Sequence, residues 1–380
     1  MPTDLAASRS ELLAWYRRAH RDLPWRRTTD PWRIWVSEIM LQQTRVDTVL
    51  RYYTPFLRRF PDVGALAAAP LDDVLAAWSG LGYYRRARFL HAGARLVRDR
   101  HAGRFPRDVA GARELPGIGR STAGAIVSIA YGTRAAVLDG NVKRVLSRLL
   151  AQDLADGPRL ERALWPAAET LVDCDDAGDV NQALMELGAT TCLPAAAARC
   201  DDCPWRSRCA ARSAGRVEQL PRLRPRAALR AETWAVAIVR RETALLVRQR
   251  PPRGLLHDMI ELPTFEVGLG AASRTACANA LARGLRDATG LDAVIGDELL
   301  LHRQVISNRK VAMRVFAATV GRGARPRAPA RFVALAEVDS LPITMATRNL
   351  ARQLGGAPNP SVAAARPTAA ATSRMRPKKR

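Results

Sequence analysis

The segment Leu115–Asn141, LPGIGRSTAGAIVSIAYGTRAAVLDGN, decides how this chain is read. Gly117 and Gly119 flank Ile118. Glycine lets backbone N–H groups come close to a ligand because no Cβ stands in the way. A helix beginning at that spot adds its orphan N–H groups and its positive dipole end, a combination that suits a phosphate. Ala123, Ile126, Val127, Ala130 and Tyr131 recur at helical spacing and predict one buried face. Gly132 is placed to end that helix, and Asp139, Gly140 and Asn141 follow. Alone, the two glycines fit an ordinary tight turn before a core helix equally well, with Asp139 an exposed acid.

Composition narrows the choice. A chain of 380 residues suggests two or three domains. The 60 Lys and Arg against 36 Asp and Glu give a net charge of +24, too basic for most small-molecule enzymes. Such a balance favours a polyanionic partner, most simply nucleic acid. Only four of the basic residues are Lys, a coding bias that explains Arg over Lys but not the excess of positive charge. No run of 18 apolar residues occurs, and the amphipathic N-terminal stretch lacks an apolar signal-peptide core, so a cytoplasmic protein with no membrane contact is expected.

Cysteines in that compartment need a reason other than disulfides. Cys192, Cys200, Cys203 and Cys209 form C-x7-C-x2-C-x5-C, which reads as a metal site. Four thiolates fit tetrahedral zinc or an iron–sulfur cluster, and spacing does not choose between them. Arg199, Arg206 and Arg208 lie between these cysteines. Cys174 and Cys277 lie outside the motif, and core packing is the reading for both.

Along the chain, residues 1–212 read as mainly helical, with amphipathic stretches punctuated by Pro and Gly. Residues 213–230 are Pro- and Arg-rich and read as a linker. Residues 231–354 change texture. TWAVAIVRR and TALLVRQR predict two strands joined by a short turn, LLLHRQVIS and RKVAMRVFAATV predict later strands, and residues 272–289 predict a helix between them. Residues 355–380, rich in Ala, Pro and Arg and ending RMRPKKR, predict a disordered basic tail. That tail either touches DNA phosphates or has no selected role.

One stretch supplies a second acid. In WRIWVSEIMLQQTRVDTV, Glu38 stands among Trp35, Val36, Ile39 and Met40, a setting that raises a carboxylate pKa. Taken alone, Glu38 is more simply an acid near a helix N-terminus. As a set, LPWR (23–26), SEIMLQQT (37–44), WSGLGYYRRAR (78–88), LPGIGRSTAGAI and LDGNVKRV closely resemble the adenine DNA glycosylase (MutY) family, over about residues 10–210. That family belongs to the helix-hairpin-helix base-excision glycosylases related to endonuclease III.

The resemblance implies a mainly α catalytic domain that removes adenine mispaired with 8-oxoguanine or G in duplex DNA, acting as a monomer. It implies that Gly117 and Gly119 grip the DNA backbone and that Glu38 protonates adenine at N7. Asp139, supported by Asn141, would stabilise the oxocarbenium ion or form a transient adduct. Arg26 and Glu186 would line the adenine pocket, Gln43 would enter the gap left by the flipped base, and Leu81 and Tyr83 would form the wedge around 8-oxoguanine. The resemblance also implies one 4Fe–4S cluster on Cys192, Cys200, Cys203 and Cys209, although the first gap is one residue longer than the family's, and a loop around it that offers basic residues to DNA. Ser121 occupies the point where strand-cutting relatives carry a Schiff-base lysine. Lys143 is the only lysine before residue 310, so no efficient lyase activity is expected.

The C-terminal part, with MIELPTFEV at 259–267, resembles the Nudix hydrolases more weakly. Residues 268–291 contain no Glu to hold a metal, so an α/β reader of 8-oxoguanine without nucleotide hydrolysis is expected. Ile306-Ser307-Asn308 stands where the family has Phe-Ser-His, keeping the hydroxyl of Ser307 and otherwise reading as a polar hairpin turn. Two alternatives stay open: a pyrimidine-specific glycosylase/lyase of the endonuclease III type, and a non-catalytic, zinc-containing DNA-binding protein.

Overall fold

A computed structural model of the protein describes residues 5–223 and 228–355. It divides the chain into two compact units, Met1–Arg226 and Ala227–Arg380. The basic tail expected beyond residue 355 lies outside the described residues.

The first unit is helical: α1 (Leu5–Ala19), α2 (Pro31–Leu41), α3 (Val46–Arg59), α4 (Val63–Ala68), α5 (Leu71–Trp78), α6 (Arg85–Arg100), α7 (Val109–Arg113), α8 (Arg120–Tyr131), α9 (Gly140–Leu149), α10 (Pro158–Val172), α11 (Ala177–Thr190) and the short α12 (Ala210–Ser213). Aspartates start four of them. Asp30, Asp62, Asp108 and Asp139 each accept a hydrogen bond from a backbone N–H in the first turn of α2, α4, α7 and α9. One core gathers Trp35, Phe56 and Trp78 from α2, α3 and α5. A second gathers apolar side chains of α1, α9, α10 and α11 around Trp205. Helix α8 packs against both α2 and α11. Its Gly124 permits a close approach, because a Cβ there would lie 2.3 Å from the carbonyl oxygen of Ala136.

The stretch expected as a linker is partly packed. Leu220 is buried, its carbonyl accepts from Arg148 Nε at 2.9 Å, and Asp156 donates its N–H to Arg222 O at 2.8 Å. The apolar residue and two backbone partners hold what composition alone marks as free chain.

The second unit contains β1 (Arg230–Arg241), β2 (Ala244–Gln249), β3 (Ile260–Glu261), β4 (Thr264–Leu269), α13 (Arg274–Thr289), β5 (Ala293–Ile306), β6 (Arg309–Val320), β7 (Arg331–Ala334), α14 (Leu335–Val338) and α15 (Met345–Gly355). Its sheet is mixed. β1 runs parallel to β6 and antiparallel to β4, while β5 and β6 form a long hairpin. The expected β1–β2 hairpin is real but short, with only Arg240↔Leu245 and Arg241↔Ala244 paired. Cys277, Leu281 and Leu285 of α13 cover one face of the sheet over Ala235 and Phe316. Leu350 and Ala351 of α15 pack with Trp234 and Met313 on the other face. Among the described residues no helix is long and apolar enough to cross a membrane.

Candidate active site

A cavity of about 390 Å³ opens between α2, α8, α11 and the start of α9. It brings together Arg26, Glu38, Gln43, Ser121, Asp139, Asn141 and Glu186, which lie far apart in the sequence. Leu81 and Tyr83 do not line it.

Glu38 enters from α2. The neighbouring helix positions Ser37, Ile39 and Met40 are buried, and no group among the described residues donates a hydrogen bond to the carboxyl. Burial, and to a smaller extent the nearby Asp139, pushes its pKa up to about 7, with Arg26 opposing.

Asp139 enters from the opposite wall as the N-cap of α9. Its Oδ1 accepts from the Val142 N–H at 2.8 Å, and Asn141 Nδ2 approaches Oδ2 at 3.4 Å. Burial raises its pKa, while the Val142 and Asn141 donors and the Arg144 charge pull it back. The extended segment leading to Asp139 is fixed by buried amide chemistry. Asn181 of α11 accepts from Val137 N–H at 3.0 Å and donates to Ala135 O at 2.7 Å and Ser128 Oγ at 2.9 Å. Ser121 Oγ accepts from Leu138 N–H at 3.1 Å, so this hydroxyl also steadies the backbone beside Asp139.

Glu186 forms the floor with two arginines. Its Oε2 accepts from Arg21 Nη2 at 2.7 Å and from Arg26 Nη2 at 2.8 Å. Burial alone would raise the Glu186 pKa, but hydrogen bonds from Arg21 and Arg26 outweigh it and hold it at about 2. Sequence reading missed Arg21, which no motif singles out, and also Asn181. Lys143 points away from nucleophilic duty: Asp156 and Glu161 bind its Nζ at 2.9 and 3.1 Å and keep it protonated.

Around the rim, Gln43 and Tyr83 are exposed, whereas Leu81 is buried in the core. Packing therefore removes Leu81 from the exposed pair expected for a wedge. At the hairpin between α7 and α8, Gly117 has φ of +78°, which favours glycine, and a Cβ there would come within 2.7 Å of Phe89. Gly119 caps α8 with open space around it.

The cysteine loop is anchored by Trp205, whose Nε1 donates to Ser8 O at 2.7 Å. Arg148 Nη1 donates to Cys192 Sγ at 3.3 Å, and Cys209 Sγ donates to Arg148 O at 3.4 Å. Burial pushes the Cys203 thiol up to about 12, and Cys192, Cys209 and Cys200 add to the rise, so the four sulfurs share one neighbourhood. Among the described residues no three Cys, His, Asp or Glu side chains are gathered tightly enough for a single metal ion. Arg199 and Arg208 are taken up by Asp202 and Glu11, whereas Arg206 has no acidic partner among the described residues. In the second unit, Ser307 and Asn308 form the exposed two-residue tip of the β5–β6 hairpin, with Ser307 at φ of +56°.

A family model described as the HhH-GPD superfamily of base excision DNA repair proteins matches residues 36–169, and one for the NUDIX domain matches residues 235–353. The adenine DNA glycosylase of Buchnera aphidicola subsp. Acyrthosiphon pisum is 34% identical over 257 residues, covering 67% of this chain and 73% of its own. The chain belongs to the adenine DNA glycosylase family. The human member of that family is 46% identical over 227 residues, 57% of this chain and 41% of its own length. The chain spans about half the length of several curated family members it matches. A solved thermostable thymine-DNA glycosylase superposes with a TM-score of 0.50 at 30% identity, covering 55% of this chain and 97% of its own. The fold is thus a helix-hairpin-helix glycosylase domain followed by a Nudix-like domain with a mixed sheet.

Proposed function

We propose that this protein is a monofunctional DNA glycosylase that excises adenine mispaired with 8-oxoguanine or G in base excision repair. The observation that carries the reading is the pairing of Glu38 and Asp139 across one cavity, with the Glu38 pKa pushed up to about 7 and that of Asp139 also raised by burial but opposed there by hydrogen-bond donors. Breaking an N-glycosidic bond passes through an oxocarbenium-like state, which calls for one acid and one negative charge. Glu38, near half-protonated at neutral pH, donates to adenine N7 as the bond breaks. Asp139, whose N–H donors favour the carboxylate against the effect of burial, would face the cationic sugar, and Asn141 would steady it. Arg26 and the ionised Glu186 hold the adenine edge. An adenine inside a duplex is out of reach, so the base must leave the stack at a cost of a few kcal/mol. The exposed Gln43 would fill the gap and the exposed Tyr83 would wedge beside 8-oxoguanine, and the Gly117–Gly119 turn with the N-terminus of α8 would take a backbone phosphate. The net charge of +24 supports the DNA partner.

Strand cleavage is not part of the reading, because Ser121 lacks an amine and Lys143 is held by two acids. The four-thiol loop fits a 4Fe–4S cluster, wider than one ion, on Cys192, Cys200, Cys203 and Cys209. Burial keeps the Cys203 and Cys209 thiols from ionising unaided, and a metal charge would offset that. When bound, the cluster would supply folding energy to this loop, leaving Arg206 to face the backbone. The protein would act as a monomer in the cytoplasm. The second unit would read 8-oxoguanine through Ser307, and its α13 offers no glutamate for nucleotide hydrolysis.

Single-turnover base release tests this, on duplexes with A opposite 8-oxoguanine, A opposite G, and an oxidised pyrimidine. Adenine release with strand breaks appearing only after alkali is the expected result. Cutting of the pyrimidine duplex without alkali would instead place the chain with the lyases. Ser307→Ala should lower the preference for 8-oxoguanine over G about fivefold, the scale of one neutral hydrogen bond. An unchanged ratio removes Ser307 from the reader.

A further inference from the structure

Arg86, in the first turn of α6, is only 7% exposed. Its Nη1 donates to Ile39 O at 2.9 Å, to Met40 O at 2.7 Å and to Gln42 O. Its Nη2 donates to Thr44 Oγ1 at 2.9 Å, to Leu81 O at 3.3 Å and to Gly82 O at 3.2 Å. The Ile39 and Met40 carbonyls end α2, the helix that carries Glu38, where a cation meets the negative end of the helix dipole. No carboxylate pairs with Arg86 among the described residues. The rings of Trp78 and Tyr83 lie 5.4 and 5.5 Å from its guanidinium carbon instead.

Both segments that Arg86 grips are strained. Gln43 has φ of +58° and Tyr83 φ of +47°, the left-handed region that side chains rarely adopt. Each such residue costs on the order of 1–3 kcal/mol and persists only where its surroundings over-determine it. Both side chains are exposed, and Gln43 lines the cavity. A planar guanidinium presents its donors in a fixed fork that holds two separate backbone segments in register, a geometry the single nitrogen of a lysine ammonium does not reproduce.

We propose that Arg86 is a positioning residue that locks the 41–44 and 80–83 segments together, so that Gln43 and Tyr83 enter duplex DNA as one rigid pair. This rests on the glycosylase reading and assigns Arg86 to base extrusion rather than to bond cleavage. Arg86 touches neither the base nor the sugar.

The test compares Arg86→Met and Arg86→Lys with the full wild-type chain on two substrates, adenine opposite 8-oxoguanine in a duplex and the same adenine in an unpaired bubble. The bubble needs no gap filled. Each variant should lose about 100-fold in single-turnover excision from the duplex and less than about threefold from the bubble, relative to wild type on the same substrate. Equal losses on both substrates, or no loss on the duplex, overturn the proposal. Amide hydrogen exchange of the free variants should speed up at 41–44 and 80–83, and unchanged exchange there also overturns it. If Arg86→Met does not fold, Arg86→Lys decides alone. If the wild type releases no adenine from either substrate, the glycosylase reading fails, and the exchange measurement still decides the role of Arg86.

Discussion

Glu38 and Asp139 face one cavity from walls of opposite character. The α2 wall is apolar and gives the Glu38 carboxyl no donor, while the wall at the start of α9 gives Asp139 a backbone N–H, an amide and a nearby arginine. Burial raises the pKa of both acids, but hydrogen-bond donors oppose it only at Asp139, which favours the proposed split between a proton donor at Glu38 and a carboxylate at Asp139. The division of labour comes from what each helix brings next to the acid.

Glu38→Gln strikes the comparison hardest. It should lower single-turnover excision about 10³-fold or more, within the range for general acids, while DNA affinity stays near wild type. Lost binding would make Glu38 structural and collapse the contrast. Asp139→Asn should cost about 10²-fold in excision. Because Asn is as good an N-cap as Asp, thermal stability should move by less than about 1 kcal/mol. A large stability loss would mean that the cap, not the charge, is what Asp139 provides.

The pH dependence sharpens the contrast further. Glu38 binds its proton more tightly in the folded chain than in the unfolded one, about 7 against the ordinary 4.5. Its stabilising contribution is therefore full below about 4.5 and lost as pH rises through about 7. The loss amounts to roughly 3 kcal/mol by linkage. Denaturant titrations across that window should show the decline in wild type and a flatter curve in Glu38→Gln. The smallest effect is on rate: excision should fall about tenfold per pH unit above 7 as the acid empties. A profile flat through pH 8 would contradict a Glu38 proton donor.

Local chemistry made much of this visible in the sequence. The glycines of 117–119, the helix stop at Gly132 and the carboxyl groups of Glu38 and Asp139 all act over a few residues, so a few residues reveal them. What stayed hidden depends on distance. Asn181 reads as an ordinary helical residue until α11 packs beside the segment at 135–137. Arg21 and Arg86 look like two more arginines in an arginine-rich chain. In the second unit the first residues of β5 went unread because Gly296, Asp297 and Glu298 interrupt the apolar pattern and the register shifts there. MIELPTFEV splits into β3 and β4 around Leu262 and Pro263. The parallel pairing of β1 with β6 joins strands about eighty residues apart, which no local pattern encodes.

Asn181 bears on how sequence changes in this chain should be sorted. It is fully buried and absent from the cavity lining, yet its one amide both receives from and donates to the strap that ends in Asp139. A carboxylate in its place would set a lone pair against the Ala135 carbonyl and shift the strap without touching DNA. Ranked by distance from the cavity, such a variant would be filed as harmless. Ranked by whose backbone it holds, it belongs beside Glu38 and Asp139.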